Sequence, residues 1–487
     1  MSISTAKGIF SVKTALLQRN IQQFSVLGKA LIKGFEMIIE KDINFYKRLY
    51  AIAIPVSLQT LLSLGINLAD NFMIGKLGGV SLSAVAIANQ FYTILHYTCL
   101  GLGNGCAVLT GQYYGAGKNK EVRSLVALLY KLTFGIVLSF ITVTLLFKAN
   151  IMDMYSNSAE VTNLAAEYLG MLTPTFIFMA INVVSCSWLR SIGIVKVAML
   201  ASSVSFLLKL GINYVLIFGN FGVQPMGIKG AAIATMAARG VEFLIIVVYI
   251  LRYEKKVCLK LGDFKGQDKE LTKLFLKKGQ PVLFSDMMIA LGQNGVSIVM
   301  GNISASMLAA SSIATTVVQI SAFTLIDLTG AAATLVSNSA GSGDTKRAYR
   351  QGVTSSMLSF ITGIGSSIVI FLLRDFIVSL YTLDAYTADM TYSMLTVTSV
   401  IVFFTATGCV LSKGILRGGG DTKYLMVVDI IFLWTVSIPL GYFVGIVLGM
   451  PPWVAYLCIR LDEVFRFSIC LHRLFSKKWI KVFTKTA

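Results

Sequence analysis

The chain has 487 residues, 55% of them hydrophobic and 13% charged, with a mean hydropathy of +0.75. Soluble proteins carry about 25% charged residues, so a soluble globular fold is excluded and a polytopic membrane protein is indicated. The net charge of +19 does not point to nucleic acid, because the basic residues sit in short runs between apolar stretches, the pattern of membrane topology.

Residues 1–45 are basic, with apolar residues from Ile9 to Phe35 at roughly helical spacing. The segment reads either as an amphipathic helix on the membrane surface, with Lys7, Lys13, Arg19, Lys29 and Lys33 towards phosphates, or as a disordered leader. Twelve apolar stretches follow, at 50–73, 83–109, 125–147, 165–187, 198–219, 230–251, 280–300, 308–338, 352–373, 391–412, 424–448 and 453–471. Each is long enough to span a bilayer, which takes about 20 residues.

Lys and Arg in alternate connections give the orientation. One side holds 33 of the 42 and the other holds Lys76, Lys148, Lys229 and Arg374. The positive-inside rule places both termini and the 252–279 connection in the cytoplasm. Short loops suggest a bacterial inner membrane.

The chain also repeats itself. A shift of 226 lays Pro55 on Pro281, Gly75 on Gly301, Ala88 on Ala314, Leu109 on Leu335, Gly115 on Gly341, Gly117 on Gly343 and Tyr155 on Tyr381. One residue later in register, Leu189-Arg190 falls on Leu416-Arg417. An even number of spans per repeat gives both halves the same orientation, related by an axis along the membrane normal around a central cavity. The expected fold is therefore all-α, with 12 transmembrane helices in two six-helix bundles. The expected divisions are a basic segment 1–45, a lobe 46–252, a cytoplasmic linker 253–279, a lobe 280–475 and a basic tail 476–487. Such a duplication favours alternating access about a midplane site.

No enzyme is expected. His occurs only at 96 and 472, and there is no HExxH, GxSxG or Walker-type loop. The 7 cysteines show no ligand spacing, so no metal, disulfide or cofactor is expected.

Charges inside apolar stretches are costly and mark candidate sites. Asp70 is the one acid in the first stretch, with Asn67 and Asn71 beside it. Lys209 lies mid-span in the fifth, with Asn213 one helical turn on, and an ion pair with Asp70 is the preferred partner. Asp286 and Asp327 face no cation on their own helices and are candidates for a substrate cavity, with Asp429 a further buried acid. His96, which titrates near pH 6.5 when unperturbed, is a further candidate there. Arg239 and Glu242 are expected to neutralise one another, as are Asp462 and Arg466 at i, i+4. Arg190 and Arg417 are expected to fix topology and hold loop carbonyls.

The segment 211–235, GINYVLIFGNFGVQPMGIKGAAIAT, resembles the fifth-to-sixth helix signature of the multidrug and toxic compound extrusion (MATE) family. So do LRSIG at 189–193, LRGGGDT at 416–422 and the pattern Pro55, Asp70, Gly75, Leu77-Gly78. The resemblance covers about residues 45–475. It implies a twelve-helix antiporter, monomeric, exporting small organic compounds, often cationic drugs, through the bilayer on a proton or sodium gradient. It also implies a coupling site of Asp70, Thr235 and polar groups on the fifth and sixth helices. In that alignment Lys209 stands where an amide is expected and Asn213 where an acid is expected. An ammonium repels a sodium ion from its own cage, so protons are the expected coupling ion. Sodium coupling through Asp70, Asn213 and Thr235 is the alternative, and flipping of lipid-linked oligosaccharides is a more distant one.

Overall fold

The computed structural model describes residues 39–156, 158–266, 268–324, 328–381 and 383–484. Residues 1–38 and the candidate Asp327 lie outside them. The described chain contains helices and no strand, and each of the twelve apolar stretches is mostly helical over its described residues. The first six are α1 (Ile43–Gly75), α2 (Gly79–Gly115), α3 (Asn119–Asp153), α4 (Ala159–Leu172 and Thr175–Ser191), α5 (Lys196–Phe218) and α6 (Ile228–Val248). The others begin with α7, where a short Lys269–Lys278 helix leads into Gln280–Ile303, and α8 (Ala305–Thr324 and Thr329–Gly341). They continue with α9 (Thr345–Ser379), α10 (Ala385–Cys409, then Val410–Leu416), α11 (Thr422–Ile431 running on to Phe443–Val447) and α12 (Pro452–Ile459 and Leu461–Phe475).

Eight of the described helices are alone long and apolar enough to cross a membrane, and α4 adds a ninth when its two segments are joined. Those segments meet at 60°, where Pro174 has no N–H for the helical ladder. The outer surface is apolar: Leu146, Leu207, Ile361 and Leu372 are all more than half exposed, as a lipid-facing surface requires.

Alpha-helical turns give way to π-helical turns at Val410–Leu416 in α10 and at Phe432–Ser437 and Phe443–Val447 in α11. A π turn is how a helix absorbs one extra residue. The repeat's step from 226 to 227 falls between Tyr381 and Leu416, the interval that contains the first of these turns. The matching stretch of α4, Thr175–Ser191, is regular α-helix.

The two halves pack as two lobes that meet through α1 and α2 on one side and α7 and α8 on the other. Their closest approach is at the end that carries the basic connections, here called the basic face. A Cβ built on Gly115 would lie 2.0 Å from the carbonyl oxygen of Asn338, and one on Gly341 would lie 1.9 Å from that of Gln112. The shift of 226 that carries Gly115 to Gly341 also carries Gln112 to Asn338, so this is one contact made twice about the pseudo-twofold axis. Gly105 also lies on backbone, its Cβ position 2.6 Å from the carbonyl oxygen of Gly279.

The chain's last described residues run across this seam. Trp479 is wholly buried against Gly352 and Gly419 in the core of the second lobe, while Phe483 belongs to the core of the first. Gln112 of α2 grips the backbone between them: its Nε2 donates to the Lys481 carbonyl at 3.0 Å and its Oε1 accepts from Phe483 N at 3.0 Å. Thr484 Oγ1 donates to the Gly341 carbonyl at 2.9 Å, and Lys481 pairs with Asp421.

The expected Asp462–Arg466 pair does not form. Arg466 pairs instead with Glu463 and lies 3.9 Å from Asp429, and Asp462 accepts from the Ser437 hydroxyl. Spacing of i, i+4 permits a pair, but Asp429 and Ser437 on α11 are packed against this face of α12 and take different partners.

Candidate functional site

The first site lies inside the first lobe, where α1 packs on α5. Asp70 is five residues from the end of α1, away from the basic face. One of its carboxylate oxygens pairs with Lys209 Nζ, and the other accepts from Asn213 Nδ2 at 2.8 Å. The Lys209 side chain is 12% exposed and that of Asp70 21%, so the pair sits largely out of water. Lys209 and Asn213 are four residues apart on α5 and share a face, which lets one helix meet both oxygens. Tyr168, on the first segment of α4, is buried beside Asp70 and Thr235. The Thr235 hydroxyl also donates to the Ala231 carbonyl of its own helix at 2.9 Å. Asn67 and Asn71 are exposed, and neither hydrogen-bonds Asp70.

A second polar chain ties α1 to the same neighbours. Gln59 Nε2 donates to Ser202 Oγ at 3.1 Å, and Ser202 donates to Glu242 Oε1 at 3.0 Å. Arg239 Nη1 donates to the other Glu242 oxygen at 2.8 Å. Gln59 and Asp70 are three turns apart on α1, so the helix is pinned to α5 and α6 at two levels about 16 Å apart. His96 faces this interior, near Arg239 and Glu242, with its ring set edge-on to Tyr97 at 5.6 Å. His96 is not in the wall of the central cavity, whereas Tyr97 is.

The second site is a cavity of about 580 Å³ between the lobes. It extends away from the basic face, along α2 from Val108 to Gln90 and α7 from Asp286 to Asn294. Four side chains cross its floor. Arg417 at the end of α10 holds Asp286 in a fork, with Nη2 2.8 Å from Oδ1 and Nη1 3.1 Å from Oδ2. Asn104 of α2 donates to Asp286 Oδ2 at 3.1 Å, and its own oxygen accepts from Arg190 at 3.3 Å. The string Arg190–Asn104–Asp286–Arg417 thus begins in one lobe and ends in the other. Arg417 and Asp286 are both buried. Of the sequence candidates, Asp286 is in this wall. Asn104 had no signal beyond being polar in an apolar stretch. Arg190 and Arg417 had one, their matching places in the repeat, which pointed to helix ends and not to the cavity.

Among the described residues no group of three or more His, Cys, Asp and Glu is placed to hold a metal. The sites offer buried ion pairs and a chamber, an arrangement suited to binding and to changes of state.

The MatE family model matches residues 55–215 and 281–443, one match on each half of the repeat. A probable multidrug resistance protein NorM of Thermotoga maritima is 25% identical over 443 residues, covering 89% of this chain and 93% of that protein. A probable multidrug resistance protein YoeA of Bacillus subtilis is 25% identical over 422 residues, covering 83% and 88%. Among solved structures, a MATE in complex with MaL6 superposes with a TM-score of 0.81 at 19% identity, over 92% of this chain and 99% of that one. An outward-facing multidrug resistance MATE family transporter of the MOP superfamily gives 0.79 at 19% identity, over 90% and 99%.

Proposed function

Since the chain belongs to the MatE family of multidrug efflux transporters, we propose that it exports organic compounds by alternating access and is driven by protons through Asp70. The observation that carries the coupling ion is Lys209. A fixed ammonium occupies one oxygen of the carboxylate, and Asn213 the other. That leaves a sodium ion competing with a tethered charge. A proton needs no cage: it adds to the carboxylate and removes the attraction for the ammonium.

The cycle that follows uses two states. With Asp70 ionised, α1 is held to α5 at that level. A proton on Asp70 weakens the hold, and the outer part of α1 is freed to move while Gln59 keeps its inner half on Ser202. Coupling requires that the proton stabilise one state more than the other, and an ion pair present in only one state supplies that difference. The asymmetry of Lys and Arg supports cytoplasmic termini. On that orientation the lobes are closed at the cytoplasmic side and the cavity belongs to an outward-facing state. The relatives support a bacterial inner membrane, and the central cavity, enclosed within one chain, supports a monomer as the working unit. Organic cations, which the sequence resemblance implies, meet one carboxylate in the described cavity wall, Asp286, and Arg417 already neutralises it.

Proteoliposomes loaded by a proton gradient or a sodium gradient alone test this reading. Dye movement is expected with the proton gradient, with Asp70→Asn and Lys209→Ala each reducing coupled flux at least about tenfold. Normal proton-coupled flux in both variants would sink it.

A further inference from the structure

Arg374 stands on α9 five residues before the helix ends at Ser379, at the end away from the basic face. Its guanidinium is fixed in place. The central carbon lies 4.0 Å from the ring centroid of Phe371, one turn back on α9, and 4.5 Å from that of Tyr392 on α10. Nη1 donates to Thr396 Oγ1 at 3.1 Å, one turn on from Tyr392. An arginine that only snorkels to water needs none of these contacts. The other edge of the group is unused. Among the described residues Nε is out of water without a hydrogen-bond partner, and Nη2 has none either. A bare donor is costly at membrane depth.

Arg374 is the one charged group in the described wall of a pocket of about 520 Å³ between α9, α10 and α12. Trp453 and Val400 in that wall are 45% and 58% exposed, and no wall residue is shared with the central cavity, so the pocket opens sideways onto the lipid surface. Arg374, Tyr392 and Trp453 all lie within about two turns of a helix end on the same side, the level at which Trp and Tyr meet the membrane–water boundary. Val397 and Val400 continue the wall along α10 towards the bilayer middle. We propose that this pocket binds a phospholipid of the leaflet opposite the basic face, with its phosphate on the Nε–Nη2 edge and an acyl chain along Val397 and Val400. That edge presents two parallel N–H donors, a fork that fits two phosphate oxygens. The apolar, lipid-facing wall selects an anion with a hydrocarbon body over a soluble one. The site is separate from the Asp70 pair and from the chamber between the lobes.

The test is native mass spectrometry of the delipidated full-length protein in a maltoside detergent, titrated with dioleoylphosphatidylglycerol. Dioleoylglycerol, which has the chains without the phosphate, and inorganic phosphate are the comparison ligands. The expected result is one phosphatidylglycerol retained at least about tenfold more tightly than dioleoylglycerol and not displaced by an equal concentration of inorganic phosphate. Arg374→Gln is expected to weaken that retention about tenfold. Val400→Trp fills the pocket and leaves the guanidinium and its partners in place. It is expected to weaken retention as much, which keeps the proposal testable where Arg374→Gln fails to fold. Equal retention of dioleoylglycerol overturns the proposal in favour of a plain apolar groove. Displacement by inorganic phosphate overturns it in favour of a soluble anion. Retention unchanged in either folded variant also overturns it.

Discussion

Asp70 accepts from two residues of one neighbouring helix, and this arrangement makes its substitutions informative. In Asp70→Asn the Lys209 ammonium stays in a largely dry site with no opposite charge. Removing one member of a buried pair costs about 3–5 kcal/mol, and the partial exposure of Asp70 places the loss at the lower end of that range. Thermal unfolding of Asp70→Asn, Lys209→Met and the double variant is expected to show both singles destabilised, with the double recovering most of the loss. All three are expected to lack proton coupling. A double variant as unstable as the sum of the singles would mean that the two groups are not coupled. The pair is legible in the sequence because each member is an isolated charge deep in an apolar stretch, where few partners exist. Asp286 and Arg417 are as closely paired, yet Arg417 reads as a topology marker because it sits at a helix end. Which of several buried acids it meets is decided by packing over a separation of 131 residues. Gln59, Ser202 and Asn104 carry no charge and stand out from their stretches in no way, so only the assembled helices show their roles.

Elements repeat the lesson on a larger scale. The twelve helices follow from hydropathy and length, and the bend in α4 from Pro174. The short stretch after α12 looks in the sequence like a basic tail, because its two aromatic anchors, Trp479 and Phe483, are outnumbered by lysines. In the structure those anchors lie in different lobes, and Gln112 clamps the backbone between them. If the lobes separate at the basic face, one end of this strap must let go. Trp479 is anchored more deeply, so Phe483 and its bonds to Gln112 are the end that releases. Gln112→Ala is expected to raise the reactivity of a cysteine placed at Ser337 towards a membrane-impermeant maleimide applied from the basic face, by several-fold. Unchanged reactivity would mean that the strap does not hold the seam. Trp479→Ala, which empties a fully buried site, is expected to cost about 3–5 kcal/mol, read as a lowered melting temperature.

The whole molecule is a duplicated scaffold carrying unduplicated chemistry. The repeat preserves Pro55 as Pro281, the turn glycines and the seam, but the shift of 226 carries Asp70 to Val296 and Asp286 to Thr60. The lobes therefore differ in their charges: the first holds the Asp70–Lys209 pair and the second supplies most of the charge on the cavity floor. The seam is where the halves still act alike. Gly115→Val and Gly341→Val both insert carbon atoms where carbonyl oxygens already lie about 2 Å from a Cβ. Each is expected to block closure of the basic face and to abolish transport in a protein that still reaches the membrane. Wild-type flux in either variant would contradict a closed seam as an obligatory step.

That seam also bears on how the two halves hold together. Gly115 meets the residue 226 positions beyond Gln112, and Gly341 meets Gln112 itself. A contact in which i touches j and j touches i is the isologous interface of a C2 dimer. It needs no linker to form, and two copies of a six-helix chain with this motif on their second helix would dock through it. Severing the chain within 253–279 and producing the two pieces together is expected to give dye export, because the surface that joins them is self-complementary and forms without the linker.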